Sequence, residues 1–248
     1  MGDLRKRLRE KKGRGGSKKP PKEAVLINLQ RTIISRANIP AKYKNKTFVD
    51  YDNKFIPENQ VRVRKIMEYA AEFSECLKTG KSIYIFSDNP GVGKTFLACA
   101  LLQEIAGYAA EWFYNEVDRM PMIQYGVQLD NTYLPVYFAD SAELVDSRFE
   151  EESIGELSKA RRADFLVLDD VFNERDTEFA LGEVAKLINH RYKARKPTIF
   201  TSNHKYDELV SDTYGVKLDR VASRLDEMCG EYKIRLDSYL DYRQKNLY

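Results

Sequence analysis

The stretch Ile83-Tyr84-Ile85-Phe86-Ser87-Asp88-Asn89-Pro90-Gly91-Val92-Gly93-Lys94-Thr95 decides how the rest of the chain is read. It opens as an apolar run of strand formers and passes into a turn built around two glycines. A helical run, Phe96-Leu97-Ala98-Cys99-Ala100-Leu101-Leu102, follows at once. Gly91 and Gly93 let the backbone curl so that successive N–H groups point inward, and the next helix adds the positive end of its dipole. Such a loop cradles phosphates. Asn89, Pro90, Gly91, Val92, Gly93, Lys94, Thr95 and Phe96 are therefore the candidate nucleotide-binding residues. Lys94 is expected to reach the β- and γ-phosphates of ATP, and the Thr95 hydroxyl to ligate Mg²⁺. A glycine-rich turn alone reads equally well as an ordinary connection. Gly-Val-Gly-Lys-Thr set between strand and helix is what separates this one. The usual pattern has glycine where Asp88 stands. A carboxylate aimed at phosphates would weaken binding, so Asp88 is expected to point away.

A second signal lies downstream. Phe165-Leu166-Val167-Leu168-Asp169-Asp170 is an apolar run closed by two carboxylates, the composition of a buried parallel strand. Asp169 is expected to hold Mg²⁺ through water, and Asp170 to orient and deprotonate an attacking water. Asp-Asp alone is an even match for a solvated loop start. Paired with the glycine loop it points to nucleotide hydrolysis.

Composition sets the bounds. The 248 residues are 43% hydrophobic and 32% charged, enough for one core with room for an appendage. No apolar run reaches membrane-spanning length, and no apolar stretch backs the N-terminal charges as a secretory leader requires. Cys76, Cys99 and Cys229 are scattered without metal spacing, which points to a reducing, cytoplasmic setting and buried thiols. His190 and His204 are isolated and suggest no metal site. Residues 1–23 hold ten Lys or Arg against Asp3, Glu10 and Glu23, a balance of +7, so the remainder carries −4 of the overall +3. The basic charge is an arm, broken by Gly13, Gly15, Gly16, Pro20 and Pro21 after a possible short helix over 4–12. It serves either to dock nucleic acid or a partner, or only to keep the chain in solution.

The periodicities predict helices over 24–37 and 58–79, the latter with Val61, Ile66, Met67, Tyr69 and Phe73 as its apolar positions. They predict strands over 81–87, 135–139, 165–169, 198–201 and 232–236. The helix after the glycine loop is expected to run to about Arg119, with an irregular connection over 120–133. Further helices start at Ser141, capped by that serine, and span 177–194 with Phe179, Val184, Leu187 and Ile188 inward. Trp112 and Tyr114 are expected to pack on the core. Strands alternating with helices imply a parallel sheet covered on both faces.

At this point the chain resembles the AAA+ ATPases of the DnaC/DnaI helicase-loader family and their IstB relatives. The resemblance rests on Ile39-Pro40-Ala41-Lys42-Tyr43 with Phe48 and Tyr51-Asp52, on Phe179 to Tyr192 followed by Pro197-Thr198-Ile199-Phe200-Thr201-Ser202-Asn203, on Asp219-Arg220-Val221-Ala222-Ser223-Arg224-Leu225, and on Met228-Cys229 with Asp241-Tyr242-Arg243. It covers roughly residues 38–243. It implies a five-stranded parallel P-loop NTPase sheet between helices. Twelve residues follow position 236, too few for a C-terminal lid domain. It implies that Asn203 holds the attacking water or the γ-phosphate. It also implies that Arg224, with Arg220 as its rival, is an arginine finger reaching a neighbouring subunit of a self-oligomer. Residues 1–37 would then be a docking arm with a short helix, and 38–248 the ATPase domain. The partners implied are a hexameric replicative DNA helicase and single-stranded DNA, with no membrane. Arg148, Lys159, Arg161 and Arg162, in the helices of 141–163, are the residues offered to DNA; each also fits a solvated face. Two other readings stand beside the loader. One is an IstB-like transposition target-selection ATPase. The other, suggested by Asp88, is a nucleotide-gated DNA-binding module with negligible hydrolysis.

Overall fold

The computed structural model describes residues 21–51, 59–117, 134–146, 154–172, 177–205, 208 and 218–237. Five strands form one sheet: β1 (Ile83–Phe86), β2 (Val136–Asp140), β3 (Phe165–Asp169), β4 (Thr198–Ser202) and β5 (Lys233–Arg235). Every pairing is parallel, and the order is β2-β3-β4-β1-β5. The expected five-stranded parallel sheet is the one observed.

β1 and β3 are apolar and buried on both faces because both faces are covered. Side chains alternate between two layers. Ile83 and Ile85 join one core cluster, and Tyr84 and Phe86 join the other. The first layer holds α1 (Lys22–Arg36), α2 (Asn59–Ala71), α3 (Phe73–Thr79) and α4 (Lys94–Val117). The second holds α5 (Ser141–Asp146), α6 (Ile154–Arg162), α7 (Glu178–Lys193) and α8 (Asp219–Cys229). From β1 the chain crosses to the far edge at β2 and returns through β3 to β4. From β4 it passes over β1 to β5. The border between β1 and β4 is thus a topological switch point, where ligands of open α/β sheets sit beyond the strand ends.

Helix α1 is bound to the core. Leu29 and Ile33 are buried, Gln30 Nε2 donates to the Gln103 carbonyl on α4, and Phe138 N donates to the Ala37 carbonyl. The lead-in of residues 41–46 is held from the same helix. Gln103 Nε2 donates to the carbonyls of Tyr43 and Lys46, and Gln103 Oε1 accepts from Asn45 N. Behind the sheet lies the fully buried Arg191. Its guanidinium donates to Thr198 Oγ1 and to the carbonyls of Ala160, Ala163, Asp164 and Pro197. It ties the end of α6 to the starts of β3 and β4. Burial pulls its pKa down to about 9.

Several expectations are corrected. The single helix over 58–79 is two. Glu72 leaves helical geometry (ψ 18°), its carboxylate accepting from Lys81 Nζ and Tyr232 OH, both at 2.8 Å. Phe73 then turns in to stack on Phe165. Of the apolar positions named over 58–79, Ile66, Tyr69 and Phe73 are buried while Val61 and Met67 are exposed, the buried stripe of α2 running through Asn59, Val63, Ile66, Tyr69 and Ala70. Phe179 is exposed too, one position off the buried Ala180, Leu181 and Val184. Trp112 is exposed and sets its ring edge-on to Phe113, whereas Tyr114 packs on the first core cluster. Ser141 does not cap α5. Asp140 Oδ1 accepts from the N–H groups of Ala142 and Glu143, the shorter carboxylate being placed one residue earlier. The expected helix over 4–12, the connection over 120–133, Arg148 and everything after Asp237, including the expectation about a lid, lie outside the described residues.

Candidate nucleotide site

The site forms where the ends of β1, β3 and β4 meet the start of α4. Gly91 and Gly93 adopt left-handed φ values of 74° and 92°, as an inward curl of N–H groups requires. Lys94 is only 8% exposed, and its Nζ donates to the carbonyls of Asn89 at 3.1 Å and Ser87 at 3.4 Å. The ammonium therefore already lies across the loop. Asp88 points away, as expected, forming an ion pair with Arg235 at 2.7 Å. The Phe96 ring faces Tyr51 and Tyr43, with centroids 6.0 Å and 6.3 Å away.

The sheet order puts β4 between β1 and β3, and β4 supplies the link between their ends. Thr95 Oγ1 donates to Asp169 Oδ2 at 3.0 Å. Thr201 Oγ1 donates to the other oxygen, Oδ1, of Asp169 and accepts from Asp170 N at 2.8 Å. Asp169 is 5% exposed, and burial pushes its carboxyl up to about 6. The hydroxyls of Thr201 and Thr95 oppose that rise, and the charges of Asp140 and Asp170 add to it. A serine or threonine hydroxyl beside a dry carboxylate is a hard oxygen donor set. It suits Mg²⁺, which takes few protein ligands and keeps water and phosphate oxygens for the rest.

Asp170 sits in a left-handed conformation (φ 53°), uncommon for a non-glycine residue though aspartate tolerates it better than most. Three neighbours hold it. Its N–H goes to Thr201, its carbonyl accepts from Ser141 Oγ at 2.9 Å, and its Oδ1 accepts from Asn203 Nδ2 at 3.0 Å. The next residue is clamped as well. Val171 N donates to the Thr201 carbonyl and Ser202 Oγ to the Val171 carbonyl. Asp169, Asp170, Asn203, Lys94 and Thr95 thus converge. Arg224 does not join them. It lies on α8, with its guanidinium donating to Asn189 Oδ1 on α7 and resting 5.5 Å above the Tyr192 ring. On α6, Lys159 pairs with Glu156 at 2.6 Å.

Sequence reasoning passed over Thr201 and Ser141 as site residues. The available signal for Thr201 was a hydroxyl directly after Ile199-Phe200, near the C-terminal end of the strand. For Ser141 no signal existed, since its partner is a backbone carbonyl twenty-nine positions away.

Loop, strand order and paired carboxylates have the arrangement of a P-loop site in an AAA+-type α/β fold. No protein-family model matches the chain. Two curated relatives come from Bacillus subtilis (strain 168). The phage-like element PBSX protein XkdC is 24% identical over 173 residues, 67% of this chain and 55% of the relative. The replicative helicase loader DnaI is 29% identical over 177 residues, 69% of this chain and 50% of the relative. The chain thus spans about half the length of each. Among solved structures, that of the DnaC helicase loader superposes with a TM-score of 0.57 at 23% identity, covering 80% of this chain and 100% of that one. The chain is similar in sequence to the DnaI loader and in fold to the DnaC loader.

Proposed function

We propose that this chain is an Mg²⁺-dependent ATPase that loads a hexameric replicative DNA helicase onto single-stranded DNA at replication initiation, in a phage or mobile-element setting. The observation that carries the reading is the cluster in which Thr95, Asp169, Thr201, Asp170 and Asn203 are mutually hydrogen-bonded beside the glycine loop. The names of the two Bacillus relatives, a replicative helicase loader and a phage-element protein, support the partner and the setting.

Lys94 would exchange two carbonyl partners for anionic phosphate oxygens, a stronger pairing. Mg²⁺ held near Thr95 and Asp169 would neutralise charge on the β- and γ-phosphates. Asp170, fixed at its N–H, carbonyl and carboxylate, would take the proton of the attacking water. Asn203 would orient that carboxylate without adding charge. Arg224 would act on the site of a neighbouring subunit, so turnover would depend on self-assembly. The arm over residues 1–23 and the basic residues of α6 would meet the partner and the DNA backbone.

The test combines purified chain, hexameric helicase and a single-stranded DNA circle carrying a short annealed oligonucleotide, and reads strand displacement. ATP and the wild-type chain should together accelerate displacement, and Lys94→Ala should abolish both ATP binding and the acceleration. Displacement that is indifferent to the chain, with no co-elution of chain and helicase, would overturn the loader reading.

A further inference from the structure

The glycine loop rests on Tyr51. This buried side chain donates its hydroxyl to the Val92 carbonyl at 3.0 Å. Its ring fills the space beside Gly93, where an added Cβ would meet Cε2 at 2.8 Å. Val92 O and Gly93 N–H belong to one planar peptide unit and point in opposite directions. With the carbonyl fixed outward by the tyrosine, the N–H is fixed inward, toward the space a phosphate would take. Val92 is fully buried, so its carbonyl needs a donor there.

The tyrosine is itself held. Asn59, fully buried at the start of α2, donates from Nδ2 to Tyr51 OH at 3.3 Å and to the Asp237 carbonyl at 2.8 Å. Its Oδ1 accepts from Asp237 N at 3.0 Å and from Arg62 Nη1 at 2.9 Å. Both donors and both lone pairs of the amide are used, so its rotation would orphan several groups at once. Arg62 also pairs with the Asp237 carboxylate. Asp237 follows β5, whose exit is tied to β1 by Leu236 N donating to the Phe86 carbonyl. A continuous path therefore runs from the end of β5 through Asn59 and Tyr51 to the peptide at the centre of the loop.

We propose that Tyr51, fixed by Asn59 and the chain leaving β5 at Asp237, is a positioning residue that keeps the 92–93 peptide turned so that its N–H faces the nucleotide phosphates. The inference rests on the nucleotide-binding reading of the loop.

The test is a titration with a fluorescent ATP analogue and Mg²⁺ of the wild type, Tyr51→Phe, Asn59→Leu and the double variant. Tyr51→Phe keeps the ring and removes one hydrogen bond, so Kd should rise about fivefold. KM should rise in step while kcat stays within about twofold. Because Asn59 acts through Tyr51, the double variant should bind no worse than the weaker single one. An unchanged Kd in Tyr51→Phe, even with a lowered unfolding temperature, would overturn the proposal, and so would losses that multiply in the double variant. Should Asn59→Leu not fold, Tyr51→Phe alone decides. Failure of the wild type to bind the analogue would instead remove the nucleotide reading itself, and this inference with it.

Discussion

At the scale of single residues, the site depends on hydroxyls as much as on carboxylates. Thr201 donates to Asp169 and accepts from Asp170 N, so one Oγ sets both acids. Thr201→Val is nearly isosteric, yet it leaves a buried carboxylate and a buried N–H without that partner. The expected cost is about 1–3 kcal/mol in urea unfolding, with turnover reduced on the order of tenfold and largely restored by Thr201→Ser. Asp170→Asn should behave differently. The amide keeps the partnership with Asn203 after a rotation but cannot take a proton. ATP binding, read with the fluorescent analogue, should persist while phosphate release falls to background. Phosphate release at the wild-type rate would place the base elsewhere.

At the scale of elements, the junctions of helices with strands carry the architecture. Arg191 satisfies four carbonyls and one hydroxyl at the foot of β3 and β4. Arg191→Met fills much of the volume but orphans those acceptors. We expect a loss of about 3–5 kcal/mol, since several buried acceptors lose a partner at about 1–3 kcal/mol each, partly offset by no longer burying a charge. The midpoint of urea unfolding measures it. A change below about 1 kcal/mol would mean that water enters and replaces the guanidinium. Glu72 illustrates the same principle at a helix break. Periodicity ran unbroken through 58–79, and the break came from Lys81 and Tyr232, which draw the Glu72 carboxylate from other elements.

At the scale of the whole molecule, two predictions concern charges outside the sheet. Helix α1 starts at Lys22 and is packed on α4, and a chain truncated of residues 1–20 is expected to keep that packing. The truncated chain should unfold at the wild-type urea midpoint but bind single-stranded DNA more weakly. The slope of log K against log salt should be shallower by about 0.7 for each phosphate that the arm neutralises. Equal slopes in the two proteins would show that the arm neutralises none. Arg224 lies against α7, apart from the loop of its own chain. Arg224→Ala should bind ATP and fail to hydrolyse it. Mixing it with Asp170→Asn protein should restore part of the activity, because some interfaces then pair an intact base with an intact arginine. No recovery in demonstrated mixed assemblies would place its role within one subunit.

The residues that chemistry demands of one local segment were legible in the sequence. The curl of Gly91 and Gly93, the placement of Lys94 and Thr95 after it, and the apolar strand closing on Asp169 and Asp170 all follow from local steric and dipole rules acting over a few residues. The five-stranded parallel sheet followed from the alternation of strands and helices. What the tertiary structure alone decided depends on strand order. Because β4 lies beside β3, Thr201 can join the Asp169 carboxylate to the Asp170 N–H and Asn203 can meet Asp170, and because β2 lies on the other side of β3, Ser141 can reach the Asp170 carbonyl. The support of Val92 by Tyr51, Asn59 and Asp237 joins positions up to 178 residues apart. The exposed Val61, Met67 and Phe179 belong to the same class, since periodicity names an apolar stripe but the neighbouring element decides which part of it is covered. Hydrogen bonds to backbone carbonyls leave no mark on residue type, and pairings across a sheet leave no mark on spacing.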